Sequence, residues 1–155
     1  MLRTKNPAFS TLQSMKKKTI GRFDKADFPD LHLNDISIKI DTGAYTSSIH
    51  CDNIVEEKGH LCCTFLDEEH PLYNGKEFRF PDYDVVFVKS SNGIVQKRYQ
   101  IQSTITLFGK NHVISLSLTT RQEMRFPVLL GRKFITKKYI VDTEFYDLSY
   151  NQQKE

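Results

Sequence analysis

Ile38-Lys39-Ile40-Asp41-Thr42-Gly43-Ala44 is the stretch whose reading decides the fold. Ile38 and Ile40 alternate with Lys39, which predicts a strand with one apolar face. Asp41 is the first residue past that pair, and Thr42 sets a hydroxyl beside it. Gly43 removes a side chain where a ligand or another backbone must come close. Ala44 is small and leaves the carboxylate approachable. Such a carboxylate can activate water, and does so well only when a second acid shares its proton. The plain alternative is a loop turn. At average residue usage, Asp-Thr-Gly arises by chance in roughly 3% of chains of this length. The rest of the chain has to decide.

The chain has 155 residues, enough for one domain with a single core. Its apolar runs are dominated by Val, Ile, Thr, Tyr and Phe, which favours strands. A net charge of +3 is a mild basic excess. Apart from Lys16-Lys17-Lys18 and Lys137-Lys138 it is spread out, and no basic and aromatic reader motif is present, so nucleic acid is not indicated as a partner. No apolar run approaches the ~18 residues of a membrane span. The basic N-terminus lacks the apolar segment of a secretory signal. The three cysteines, Cys51, Cys62 and Cys63, are an odd number, and adjacent Cys62 and Cys63 do not easily pair. A reduced, cytoplasmic setting follows.

Along the chain, residues 1–18 read as a disordered leader, 19–146 as the folded domain and 147–155 as a C-terminal tail, frayed from Asn151 onward. Strands are expected over Thr19–Asp24, Ile36–Ile40, Thr46–Cys51 and His60–Leu66. Charged Asn53–Gly59 reads as a loop or brief helix, and Asp67–Asn74 as a polar loop. Asp84–Lys89 and Ile94–Ile101 flank Ser90-Ser91-Asn92-Gly93, a hairpin signal. Thr104–Phe108 and His112–Leu118 form a second hairpin whose strands each have one buried face. Phe126–Arg132 reads as an apolar strand, Lys133–Lys137 as one or two helical turns, and Tyr139–Asp142 as a last strand. Many short strands with turns every 8 to 12 residues fit an all-β barrel with little helix.

Ile-Asp-Thr-Gly-Ala, a later Asn-Gly hairpin and Leu-Leu-Gly-Arg near the end occur in that order. This set resembles the retropepsin-like aspartic proteases. Residues 92–101 are similar to their flap hairpin, and Val128–Arg132 to the strand that crosses behind their catalytic loop. A bacterial branch labelled an ATP-dependent zinc protease, found near ribosomal S6 glutamate ligases, is closer still. It shares Ile20–Arg22, Lys39–Ser47, Ser91–Gly93, Arg121–Arg132 and Val141-Asp142. The label fits poorly. There is no His-Glu-x-x-His and no Gly-x-x-x-x-Gly-Lys-[Ser/Thr] phosphate loop, so neither a zinc nor a nucleotide cofactor is expected.

The resemblance implies a closed acid-protease barrel with a flap. One Asp-Thr-Gly per chain implies a C2 homodimer in which Asp41 of each subunit meets its twin. One carboxylate then acts as general base on water while the protonated other bonds the scissile carbonyl. Thr42 would bond across the axis and Gly43 would admit the substrate backbone. Ala44, Ser91, Asn92, Gly93 and Arg98 are the candidate substrate contacts, with the hairpin as a lid. Leu129, Leu130, Gly131 and Arg132 would support the site. Tyr45 stands where retroviral enzymes carry the acid that pairs with the arginine, which leaves Arg132 in need of another partner. Ala44 offers no hydroxyl to the carboxylate, which points to activity nearer neutral pH.

Two alternatives remain. One is a non-catalytic module that docks a peptide strand under the hairpin. The other is a metal-dependent hydrolase using His50-Cys51, His60, Cys62-Cys63 and His70. Their spacing fits no standard zinc pattern, and buried Cys with surface His is the simpler reading.

Overall fold

The computed structural model describes residues 17–89, 92–120 and 125–154. The leader expected over 1–18 therefore lies outside the described residues, apart from Lys17 and Lys18. In chain order the elements are β1 (Lys18–Ile20), β2 (Phe23–Phe28), a 3-10 turn (Pro29–Leu31), β3 (Leu33–Ile40), β4 (Ser47–Glu57), β5 (His60–Phe65) and β6 (Glu77–Phe80). There follow β7 (Asp84–Lys89), β8 (Val95–Leu107), β9 (Lys110–Thr119), β10 (Val128–Leu130), a helical turn α1 (Arg132–Ile135), β11 (Tyr139–Val141) and a short helix α2 (Leu148–Gln153).

The strands close into a six-stranded barrel in the order β10-β3-β2-β8-β9-β4, with β4 returning to β10. That closure is antiparallel, pairing Val128 with Ile49 and Leu129 with Ser48. Period-2 alternation fills the inside. Ile36, Ile38 and Ile40 of β3 meet Ile49 and Cys51 of β4, Ile101, Ile105 and Leu107 of β8, and Ile114, Leu116 and Leu118 of β9, all buried. Each such side chain contributes about 1.5–3 kcal/mol by leaving water.

The expected barrel forms, and several expected boundaries move. Ile94–Ile101 and Thr104–Phe108 are one continuous 13-residue strand, β8. The polar Gln102-Ser103 pair does not interrupt it, because Ser103 keeps the inward parity of Ile101 and Ile105 and is itself buried. The loop or helix expected over Asn53–Gly59 is instead the outer half of β4, turning through Lys58-Gly59 into β5. A register shift between Asp52 and Val55 bends it away from the barrel. There Asn53, Val55, Glu56 and Glu57 are all exposed, so no apolar face betrays the strand. The resulting β4–β5–β6 arm includes β6, which has no counterpart among the expected strands, and is held by Phe65, Phe78 and Phe80 in mutual ring contact.

The C-terminal residues form α2 where fraying is expected from Asn151. The cause is a buried acid far upstream. Asp24 accepts hydrogen bonds from the backbone N–H groups of Ser149 (2.8 Å) and Tyr150 (3.1 Å), and from that of Lys25 (2.8 Å). Ser149 Oγ accepts from Phe108 N–H at 2.8 Å. Burial pushes the Asp24 carboxyl above its usual range, against these donors, which pull it down.

Candidate active site

β3 delivers Asp41 and β10 fixes it. The two strands run parallel in register, Val128 beside Ile38 and Leu130 beside Ile40. One step further, Asp41 N–H donates to the Leu130 carbonyl at 2.9 Å. The chain then turns tightly. Ala44 N–H donates to the Asp41 carbonyl at 3.2 Å, and Gly43 N–H donates to Asp41 Oδ1 at 3.1 Å. Among the described residues, no other acid shares a hydrogen bond with this half-buried carboxylate. The Thr42 side chain is exposed. A Cβ at position 43 would lie 3.4 Å from Asp41 Oδ1. Glycine there keeps the carboxylate's approach open rather than relieving a strained backbone.

The 44–47 segment is stitched to the start of α1. Arg132 N–H donates to the Ala44 carbonyl and Lys133 N–H to that of Tyr45, both at 2.9 Å. Gly131 N–H donates to the buried Ser47 Oγ at 3.0 Å. The strands pass so closely that a Cβ on Gly131 would sit 2.5 Å from the Tyr45 carbonyl oxygen and 2.6 Å from that of Thr46. Arg132 finds its partners within the same loop. Its Nη1 donates to the Thr42 carbonyl at 3.0 Å, and the guanidinium lies 5.8 Å from the Tyr45 ring centroid. Tyr45 thus takes the arginine through its ring face rather than through a carboxylate.

The structure brings Asp41, Thr42, Gly43 and Ala44 together with Leu129, Leu130, Gly131 and Arg132. The hairpin residues stand on separate elements. Asn92 and Gly93 are exposed in the turn between β7 and β8, with Gly93 at φ +85°, and Ser91 lies outside the described residues. Arg98 on β8 donates to Gln96 Oε1 at 3.2 Å and lines a cleft of about 390 Å³ with Ile54, Lys97, Tyr99, Leu118 and Thr119. The reading of the sequence missed Ser47 as a support of the site. It also missed Glu56, which accepts from Tyr83, Lys97 and Tyr99. Ser47 was visible only as part of a motif, and Glu56 stood in a stretch read as loop.

The His and Cys residues at 50–70 do not gather into one metal-holding group. His50 Nε2 lies 3.0 Å from Asp67 Oδ2, His60 Nδ1 contacts the Lys58 carbonyl, and His70 Nδ1 accepts from Leu72 N–H. The buried Cys51 thiol is pushed up by its hydrogen bond with Cys63 and by burial. Among the described residues, no group of three or more His, Cys, Asp or Glu is placed to hold a metal ion.

Residues 19–152 match the family described as RimB-like, retropepsin-like aspartic endopeptidase RimB. The chain belongs to the RimB-like family. It is 37% identical over 135 residues to a probable alpha-L-glutamate ligase of Shewanella halifaxensis, covering 83% of this chain and 29% of the relative. It is 32% identical over 133 residues to a protein of the same name from Parasynechococcus marenigrum, covering 83% and 28%. The chain therefore spans under a third of the length of these relatives. The solved structure of Lpg0085 from Legionella pneumophila, described as having unknown function, superposes with a TM-score of 0.62 at 28% identity. That match covers 86% of this chain and 99% of the other. Among the described residues, no helix of this RimB-like chain is long and apolar enough to cross a membrane.

Proposed function

We propose that this chain is an aspartic endopeptidase that hydrolyses peptide bonds through water held between Asp41 and Asp41 of a second copy. The supporting observation is the bracing of Asp41. An aspartate at a strand end, whose backbone N–H donates to the Leu130 carbonyl and whose Oδ1 accepts from Gly43 N–H, is fixed in position yet approachable. On the two-fold axis one proton is shared. The ionised member takes a proton from water, and the protonated member donates to the scissile carbonyl oxygen. Thr42 faces solvent in the single subunit and is free to bond across the axis. The β7–β8 hairpin closes over the substrate.

The ligase names of the relatives belong to polypeptides more than three times the length of the matching segment. This segment carries no glycine-rich phosphate loop, so we assign it no ligase chemistry. The substrate suggested by those names is a protein bearing added glutamate, and Arg98, whose side-chain partner is the neutral Gln96, gives the cleft a matching positive charge. The test is cleavage of peptides with and without glutamate extensions, by wild type and by Asp41→Asn. Loss of at least about 10³-fold in rate with the fold intact is expected. Equal rates would remove the proposal. Peptide binding without cleavage by wild type would favour the non-catalytic docking module. A chelator should leave the rate unchanged, and loss of activity with EDTA would favour the metal-dependent alternative.

A further inference from the structure

We propose that Glu56 is a positioning residue for the flap. Its carboxylate latches the β7–β8 hairpin to the β4–β5 arm and so sets how far the hairpin lifts. The inference rests on the reading of that hairpin as a lid. Three donors converge on one exposed carboxylate: Tyr83 Oη on Oε2 at 2.7 Å, Tyr99 Oη on Oε1 at 2.5 Å, and Lys97 Nζ on Oε1 at 3.1 Å. They come from both sides of the hairpin root, Lys97 and Tyr99 on β8 and Tyr83 just before β7. Val85 pairs with Tyr99 and Phe87 with Lys97, so Lys97 and Tyr99 share one face, and Tyr83 precedes β7 in the same parity.

The donors also brace one another. The Tyr83 and Tyr99 rings meet edge to face at 6.0 Å, and Lys97 Nζ sits 5.1 Å from the Tyr99 centroid. Two phenols and an ammonium on a single carboxylate form a network, and networks hold where lone exposed ion pairs contribute little. Among the described strands, β7 pairs only with β8, so the root has little else at its side. Lys97 and Tyr99 also line the cleft, opposite Ile54 on the arm. The latch therefore fixes the width of that cleft as well as the angle of the hairpin. The low folded-state titration of Glu56, caused first by Tyr99 and then by Tyr83 and Lys97, accords with a carboxylate held ionised by its donors.

Hydrogen exchange followed by mass spectrometry tests this without requiring catalysis. In Glu56→Ala and in the double variant Tyr83→Phe/Tyr99→Phe, amides of residues 84–89 and 95–99 should exchange roughly three- to tenfold faster, with β2 and β3 unchanged. Glu56→Gln, which keeps the shape and loses the charge, should fall between. With a cleaved peptide, KM should rise several-fold while kcat holds within about twofold. Unchanged hairpin exchange in Glu56→Ala overturns the latch, as does equal acceleration in β2 and β3, which would mark a purely structural role. A wild type that cleaves nothing defeats the peptidase reading, while hairpin exchange still decides the latch.

Discussion

Gly131 sits where two backbones cross, and the carbonyls of Tyr45 and Thr46 leave no room for a methyl group. The Tyr45 carbonyl is itself held by Lys133 N–H, so it cannot readily rotate aside. Gly131→Ala should cost about 2–3 kcal/mol, at the upper end for overpacking. Thermal unfolding reads this, and an unchanged Tm would mean that the crossing is loose. Because the same crossing holds the Leu130 carbonyl against Asp41 N–H, the variant should also lose rate under conditions where it is still folded. Arg132 teaches a related lesson. Its pairing with the Thr42 carbonyl and the Tyr45 ring gives partners to a guanidinium whose expected acid is missing, and one carbonyl and a ring face stand in for charge.

At the scale of elements, α2 depends on Asp24. Six residues cannot hold a helix by propensity alone. Asp24→Ala would strand the Ser149, Tyr150 and Lys25 N–H groups and should cost about 2–4 kcal/mol. The loss should show first as protease sensitivity beyond Asp147, and resistance equal to wild type would refute it. The arm and hairpin give a second element-level prediction. Glu56 has its folded-state value lowered from 4.5 to about 2, so its contribution is fully present above pH 4.5 and is lost as pH falls through about 2. Lys97, Tyr83 and Tyr99 are the groups facing it; contact with Glu56 raises the values of Lys97 and Tyr83, so those two stay protonated across that window. The difference in hairpin exchange between wild type and Glu56→Gln should therefore narrow progressively from pH 4.5 to pH 2. A difference constant across that range would show that charge on Glu56 is irrelevant.

For the whole molecule, the proposed dyad makes activity a property of pairs. Mixing equal amounts of wild type and Asp41→Asn under exchange produces about one quarter wild-type pairs by random association. Activity should fall to about one quarter of that of all-wild-type protein at the same total concentration. A fall to only one half would mean that each subunit works alone. Dilution below the dimer dissociation constant should likewise lower the rate per subunit, with sedimentation reporting the same midpoint.

Local chemistry was enough for much of this. Alternating Ile38, Ile40, Ile105, Leu107, Ile114, Leu116 and Leu118 fixed strand faces, because a period of two has one buried side. The ordered motifs around Asp41, Asn92-Gly93 and Leu129–Arg132 pointed to the family. What the chain could not disclose were contacts between residues far apart in sequence. Asp24 meets α2 across some 125 positions, Arg132 reaches back 90 to Thr42, and Glu56 gathers donors from up to 43 residues away. The outer half of β4 has no apolar face, so only its pairing with β5 makes it a strand. Tertiary structure decided these features because a backbone donor, a ring face or an exposed carboxylate carries no periodicity. Its partner exists only once the barrel has closed.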